Sequence, residues 1–172
     1  MDIMKHEKTI SALIILIIGI SLFGCGTTQT SVEKNEKAVL LNEHIKNLKF
    51  KFNATYAYPL NYKSIYLSPY YDVKVSPDTV QAYLPYYGRA YTAPMDPSEG
   101  GIKFISTEFD YDVEEGKKAG NWLITIRTKD TSRPFTLYFD LWNNGTAHLN
   151  VHDRDRQAIS FQGDVEAQKK PE

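Results

Sequence analysis

Apolar and polar side chains alternate along most of the chain from Lys49 onward, and that alternation predicts strands. Lys49-Phe-Lys-Phe-Asn-Ala-Thr-Tyr56 is the first such run. Residues 58 to 69 break the pattern, with Pro59 and Pro69 as interruptions and room for a short strand at Ser64 to Leu67. Tyr71, Val73 and Val75 then face Val80, Ala82 and Leu84 across a hairpin at Pro77-Asp78, where proline presets the turn dihedral. The run ends in Leu84-Pro85-Tyr86-Tyr87-Gly88-Arg89-Ala90-Tyr91, a turn-rich segment follows, and Gly100-Gly101 opens the next alternating stretch.

Two later hairpins permit a prediction of register. Phe109, Tyr111 and Val113 alternate with Glu108, Asp110, Asp112 and Glu114, while Trp122, Ile124 and Ile126 alternate with Leu123, Thr125, Arg127 and Lys129. Matching the apolar faces sets the carboxylates against Thr125, Arg127 and Lys129 on a solvated face. Around Asn143-Asn144-Gly145, a two-residue loop would put core Leu141 against polar His148. A three-residue loop with Gly145 left-handed pairs Leu141 with Ala147, Phe139 with Leu149 and Asp140 with His148, and is the expected one. The last strand spans Gln157 to Gly163 through Ile159 and Phe161.

The period changes before Lys49. Leu41, Ile45 and Leu48 form one helical stripe, Lys34, Glu36, Lys37, Glu43 and Lys46 a wet face, and Thr30-Ser31-Val32-Glu33 has capping-box spacing. A helix over 31–48, packing its stripe on the sheet, is expected. His44 reads as a surface residue. Earlier still, Lys5 and Lys8 precede a mostly apolar run from Ile10 to Phe23, shorter than the ~20 residues that span a bilayer. It ends Leu22-Phe23-Gly24-Cys25, which resembles a lipobox. That resemblance implies a signal peptide over 1–24 with cleavage between Gly24 and Cys25. It also implies lipidation of Cys25 with palmitate-type chains and a flexible lipidated tether over 25–30. Two or more acyl chains, at about 0.8 kcal/mol per buried methylene, anchor a protein stably to a membrane.

Composition narrows the function. The chain has 172 residues, with 20 lysines and arginines against 21 aspartates and glutamates, so no basic excess points to nucleic acid. Its single cysteine excludes an internal disulfide and a cysteine-rich metal site. Twelve tyrosines favour a β-rich domain over disorder. His148 and His152 lie four apart on one strand, about 13 Å along it, too far to share one ion. No metal site, cofactor or catalytic residue is expected. Asp140 with His148 is the one pair around which an alternative envelope hydrolase or lyase can be built. Tyr86, Tyr87, Arg89 and Tyr91 cluster where the alternation stops, and these residue types are enriched at recognition surfaces, so this is the candidate binding loop.

The segments DTVQAYLPYYGRAY, GGIKF and RQAISFQGDV resemble the domain-of-unknown-function 4251 family of bacterial envelope lipoproteins, over about Lys49 to Glu166. The resemblance implies class and location and carries no activity. The expected molecule is mainly β (α+β). One curved antiparallel meander over 49–166, of about eight or nine strands and open or partly closed as a barrel, carries one N-terminal helix and a disordered tail over 167–172. Its expected role is non-enzymatic: a binding or structural module in the cell envelope, lipid-anchored to the outer membrane and facing the periplasm. It would take a protein, peptide or glycan ligand. An inhibitor of an extracytoplasmic enzyme is a further alternative.

Overall fold

A computed structural model describes residues 31–91 and 100–168. The signal peptide, Gly24, Cys25, the tether, Thr30 and residues 169–172 lie outside the described residues. Helix α1 (Ser31–Lys46) precedes strands β1 (Phe50–Pro59), β2 (Ile65–Tyr66), β3 (Asp72–Val75), β4 (Val80–Leu84) and β5 (Ile102–Ser106). Then come β6 (Phe109–Glu115), β7 (Asn121–Thr128), β8 (Phe135–Trp142), β9 (Thr146–Asp153) and β10 (Arg156–Ala167). The ten antiparallel strands form one nearly closed, barrel-like sheet in the order β5-β4-β3-β1-β10-β9-β8-β7-β6, with β2 added beside β3 on the same edge of β1. Two meanders, β3 to β5 and β6 to β10, are therefore joined through the pairing of the first long strand with the last.

The expected helical stripe is the buried one: Leu41, Ile45 and Leu48 enter the core beside Phe50, Ile124 and Leu141. The helix stops in a Schellman-type turn, in which the Lys49 N–H donates to the His44 carbonyl at 2.8 Å and the Leu48 N–H to the Ile45 carbonyl at 3.0 Å. Glycine is the usual residue at this left-handed position, yet Leu48 holds it with φ of 52°. Complete burial of the leucine side chain offsets a backbone cost of about 1–2 kcal/mol. Trp122 Nε1–H donates to Asn42 Oδ1 at 3.0 Å, and Lys46 Nζ lies 4.8 Å from the Trp122 ring centroid, tying α1 to β7. His44 is half-buried rather than on the surface, because α1 presses that side toward the sheet.

The predicted registers match closely. Val73 pairs with Ala82 and Val75 with Val80. Leu141 pairs with Ala147, Phe139 with Leu149 and Asp140 with His148, with Gly145 left-handed at φ of 92°. On the β6–β7 face, Asp112 meets Arg127 at 2.9 Å and Asp110 meets Lys129 at 2.5 Å, diagonal pairs across the ladder.

Two strand ends and one register differ. Strand β1 does not stop at Tyr56; it continues to Pro59, whose position at the strand end spares the ladder its missing N–H. A bulge at Thr55 shifts the register between Ala54 and Tyr56, so Tyr56 turns outward and Ala57 turns in. Strand β10 runs to Ala167, and Gln168 bonds through its N–H to the Lys49 carbonyl and through its side chain to Ser76 Oγ. Ala167 and Gln168 thus belong to the sheet's edge network rather than to a disordered tail.

Candidate binding surface

The segment 85–91 leaves β4 and crosses to the turn between β9 and β10. Ala90 forms a bridge with Arg156. The Tyr91 N–H donates to the Asp155 carbonyl at 2.8 Å, and the Gln157 N–H to the Arg89 carbonyl at 3.1 Å. The Tyr86 hydroxyl lies 3.0 Å from the Arg89 carbonyl and 3.1 Å from that of Gln157, and burial pushes its phenol above the ordinary value of 10. Its ring faces the buried Arg156 guanidinium at 5.0 Å. Tyr86 is therefore a fastener of the loop. Gly88 has ordinary φ; it is small because a Cβ there would stand 2.7 Å from the Tyr86 hydroxyl oxygen.

The other three members of the expected loop face solvent. Arg89 and Tyr91 are exposed, and Tyr87 lies over a cavity of about 510 Å³ that it shares with Gly88, Tyr62, Lys63, Ser64 and Ile65. The loop and the irregular segment 60–65 meet there. Beside it on the sheet's outer face, Tyr56 packs edge-on against Tyr66 at 5.3 Å and lies 6.5 Å from Tyr58, whose hydroxyl donates to Gln162 Oε1 at 2.8 Å. Tyr62 and Tyr66 are 70% and 71% exposed. The bulge at Thr55 helps to place Tyr56 and Tyr58 on this side. Sequence reasoning missed Tyr62 and Ile65, since residues 58–69 read only as irregular. The available signal was the density of tyrosine there, at 58, 62 and 66, in a stretch with no alternation to bury it.

A second cavity, about 460 Å³, opens between β5 and the turn 130–135. Lys103, Phe104, Ile105, Asp130, Arg133, Phe135 and Arg156 contribute to its walls. Phe104 and Phe135 stack there at 4.7 Å. Arg156 is 6% exposed; it pairs with Asp153 at 3.6 Å and donates from Nη1 to the Gly101 carbonyl at 3.1 Å. Asp130 accepts from the Ser106 hydroxyl, from the Thr107 N–H at 2.8 Å and hydroxyl at 3.1 Å, and from the Glu108 N–H at 3.2 Å. Those donors, the Ser106 hydroxyl first, lower its pKa from 3.8 to about 2.

Asp140 and His148 are cross-strand neighbours on the outer face, and Asp140 Oδ1 accepts from Asn121 Nδ2 at 2.5 Å. His152 lies edge-on to Tyr138 at 5.2 Å. Neither Asp140 nor His148 lines the two cavities described above. Among the described residues, no group of three or more His, Cys, Asp or Glu side chains is placed to hold a metal, and no helix is long and apolar enough to cross a membrane.

These features define a small, nearly closed antiparallel barrel with one N-terminal helix, whose Leu41 and Ile45 reach the core, and an aromatic patch outside. The family model described as a domain of unknown function (DUF4251) matches residues 32–165, and the chain belongs to that family. A crystal structure of a DUF4251 family protein from Bacteroides eggerthii is similar in fold, with a TM-score of 0.55 and 13% sequence identity. The match covers 78% of this chain and 91% of that one, and at this identity it speaks for the fold alone. Comparison with curated proteins gives no match.

Proposed function

We propose that the protein is an envelope lipoprotein, anchored through Cys25, that works as a non-enzymatic binding module through the surface around Tyr62, Ile65 and Tyr87. One observation carries the binding reading: two exposed tyrosines, Tyr62 and Tyr87, line an apolar cavity whose loop is already fastened by backbone bonds at Ala90, Tyr91 and Gln157. Tyrosine contributes large contact area for little loss of side-chain freedom, and a prefixed loop reduces the ordering cost of association. The anchoring half rests on the basic start, the short apolar run and the Leu22-Phe23-Gly24-Cys25 junction. With a lipid at Cys25 the module would be held at the membrane, in this reading the outer membrane, facing the periplasm.

The two halves are tested separately. Labelled palmitate is expected in the wild-type protein and absent from Cys25→Ala; labelling of the variant at wild-type level would end the anchor. For the surface, Tyr62→Ala with Tyr87→Ala is expected to lose specific crosslinked partners in intact envelopes while keeping the wild-type melting profile. An unchanged set of crosslinks would remove this patch.

A further inference from the structure

We propose that the ligand of the tyrosine surface is an oligosaccharide that carries a carboxylate, with a sugar ring against Tyr62 and Tyr87 and its acid group toward Lys63. This deepens the binding reading above and rests on it; the crosslinked partner sought there would bear such a sugar. The tyrosines here are of two kinds. Tyr86 and Tyr58 use their hydroxyls within the fold, on the Arg89 and Gln157 carbonyls and on Gln162 Oε1. The hydroxyls of Tyr56, Tyr62, Tyr66 and Tyr87 have no hydrogen-bond partner among the described residues, and these side chains are exposed. Tyr66, Tyr56 and Gln162 are successive register partners across β2, β1 and β10, so two rings and an amide stand side by side on the outer face, about 4.8 Å per strand. Gln162 gives its Oε1 to Tyr58, which leaves its N–H groups without a partner among the described residues.

A sugar ring matches that make-up. Its C–H bonds carry partial positive charge and pack on the negative faces of aromatic rings, while its hydroxyls both donate and accept. Other ligand classes match it less well. Strand β2 is two residues long and offers little edge to an added peptide strand. Ile65 is the one aliphatic residue among those described that line the 510 Å³ cavity, too few anchors for an amphipathic helix. A proline-rich segment stacks on aromatic rings but brings carbonyl acceptors and few donors, since proline has no N–H. Charge then narrows the sugar. Lys63 is the one charged residue among those described that line the cavity, and among the described residues no carboxylate lies within ion-pair distance of it. A carboxylate on the ligand supplies that partner, with the modest preference expected of an exposed pair.

The test uses the full chain in detergent micelles and an array of galacturonate, mannuronate and glucuronate oligosaccharides, their neutral galactose, mannose and glucose counterparts, and a proline decamer. The wild type is expected to bind one or more of the uronate series, about two- to fivefold tighter than the neutral counterpart at low salt. Lys63→Gln should erase that preference and leave binding of the neutral sugar unchanged. Tyr62→Ala with Tyr87→Ala should weaken sugar binding on the order of tenfold while the melting profile stays that of the wild type. Equal sugar binding by the wild type and the double tyrosine variant, a uronate preference that survives Lys63→Gln, or binding of the proline decamer alone would overturn the proposal. Envelope crosslinking of the same double variant separates this failure from that of the surface itself. Crosslinks lost with no sugar bound on the array would end the sugar and keep the surface; crosslinks unchanged with no sugar bound would end both.

Discussion

Asp130 joins three strands through one side chain. It follows the end of β7, yet its oxygens receive the Ser106 hydroxyl from β5 and the Thr107 and Glu108 N–H groups that lead into β6. All these donors favour the carboxylate over the acid, which is why its folded pKa, about 2, lies below the ordinary 3.8. A depressed folded pKa means that the unfolded chain takes up the proton first. The stabilisation is therefore present above about pH 4 and disappears as pH falls through about 2. Asp130→Asn removes the charge at every pH. The urea midpoint of the wild type should exceed that of the variant near neutrality, and the gap should shrink between about pH 4 and about pH 2. A gap of constant size across that range would show that the carboxylate's charge plays no part in the junction.

At the scale of elements, the telling pair is β1 with β10. Gly163 lies opposite Ala54 at the bulge, and a Cβ on it would stand 1.9 Å from the Asn53 carbonyl oxygen. That neighbour is backbone and has no rotamer to escape into. Gly163→Ala should destabilise the fold by about 1–3 kcal/mol, as overpacking of a fixed site does. Its largest increase in amide exchange should fall in 50–59 and 160–167; a variant as stable as wild type would show that the bulge is not a fixed site. The same pair shows where sequence reading stopped. The β6–β7 and β8–β9 registers were legible because their partners are adjacent in the chain, and one turn plus one apolar face determines them. Unbroken alternation would put Tyr56 on the side of Phe50 and Phe52, but the bulge that turns it outward depends on a partner more than a hundred residues away. Tyr86 and Arg89 stood out in sequence only as members of a candidate binding loop. Nothing local showed that the Tyr86 hydroxyl and the Arg89 carbonyl serve the β9–β10 turn while Tyr87 alone joins Tyr62. The Arg156 guanidinium, likewise, reads in sequence as one more charge beside a turn.

The whole molecule poses the question of how a sheet whose two end strands, β5 and β6, have no further strand beside them among the described residues remains nearly closed. No ladder joins β5 to β6. Closure rests on side contacts: the Phe104–Phe135 stack, the Asp130 junction, and the strap 85–91 laid across the β9–β10 turn. Arg156 sits beside the last of these and contacts the Gly101 carbonyl just before β5, Asp153 and the Tyr86 ring. Arg156→Met keeps much of the side-chain volume but leaves Asp153 buried without its cation, a change that costs about 3–5 kcal/mol when one partner of a buried pair is lost. Adding Asp153→Asn removes the stranded charge, and an asparagine oxygen can still accept from the Asp155 N–H, as the carboxylate does at 2.8 Å. The double variant should therefore be more stable than Arg156→Met by about 1 kcal/mol or more, a coupling that a double-mutant cycle in urea resolves. If the two changes simply add, Arg156 holds the strap through its ring and carbonyl contacts, and the ion pair is incidental. If they couple as expected, one buried charge pair serves as the clasp at the open side of the barrel.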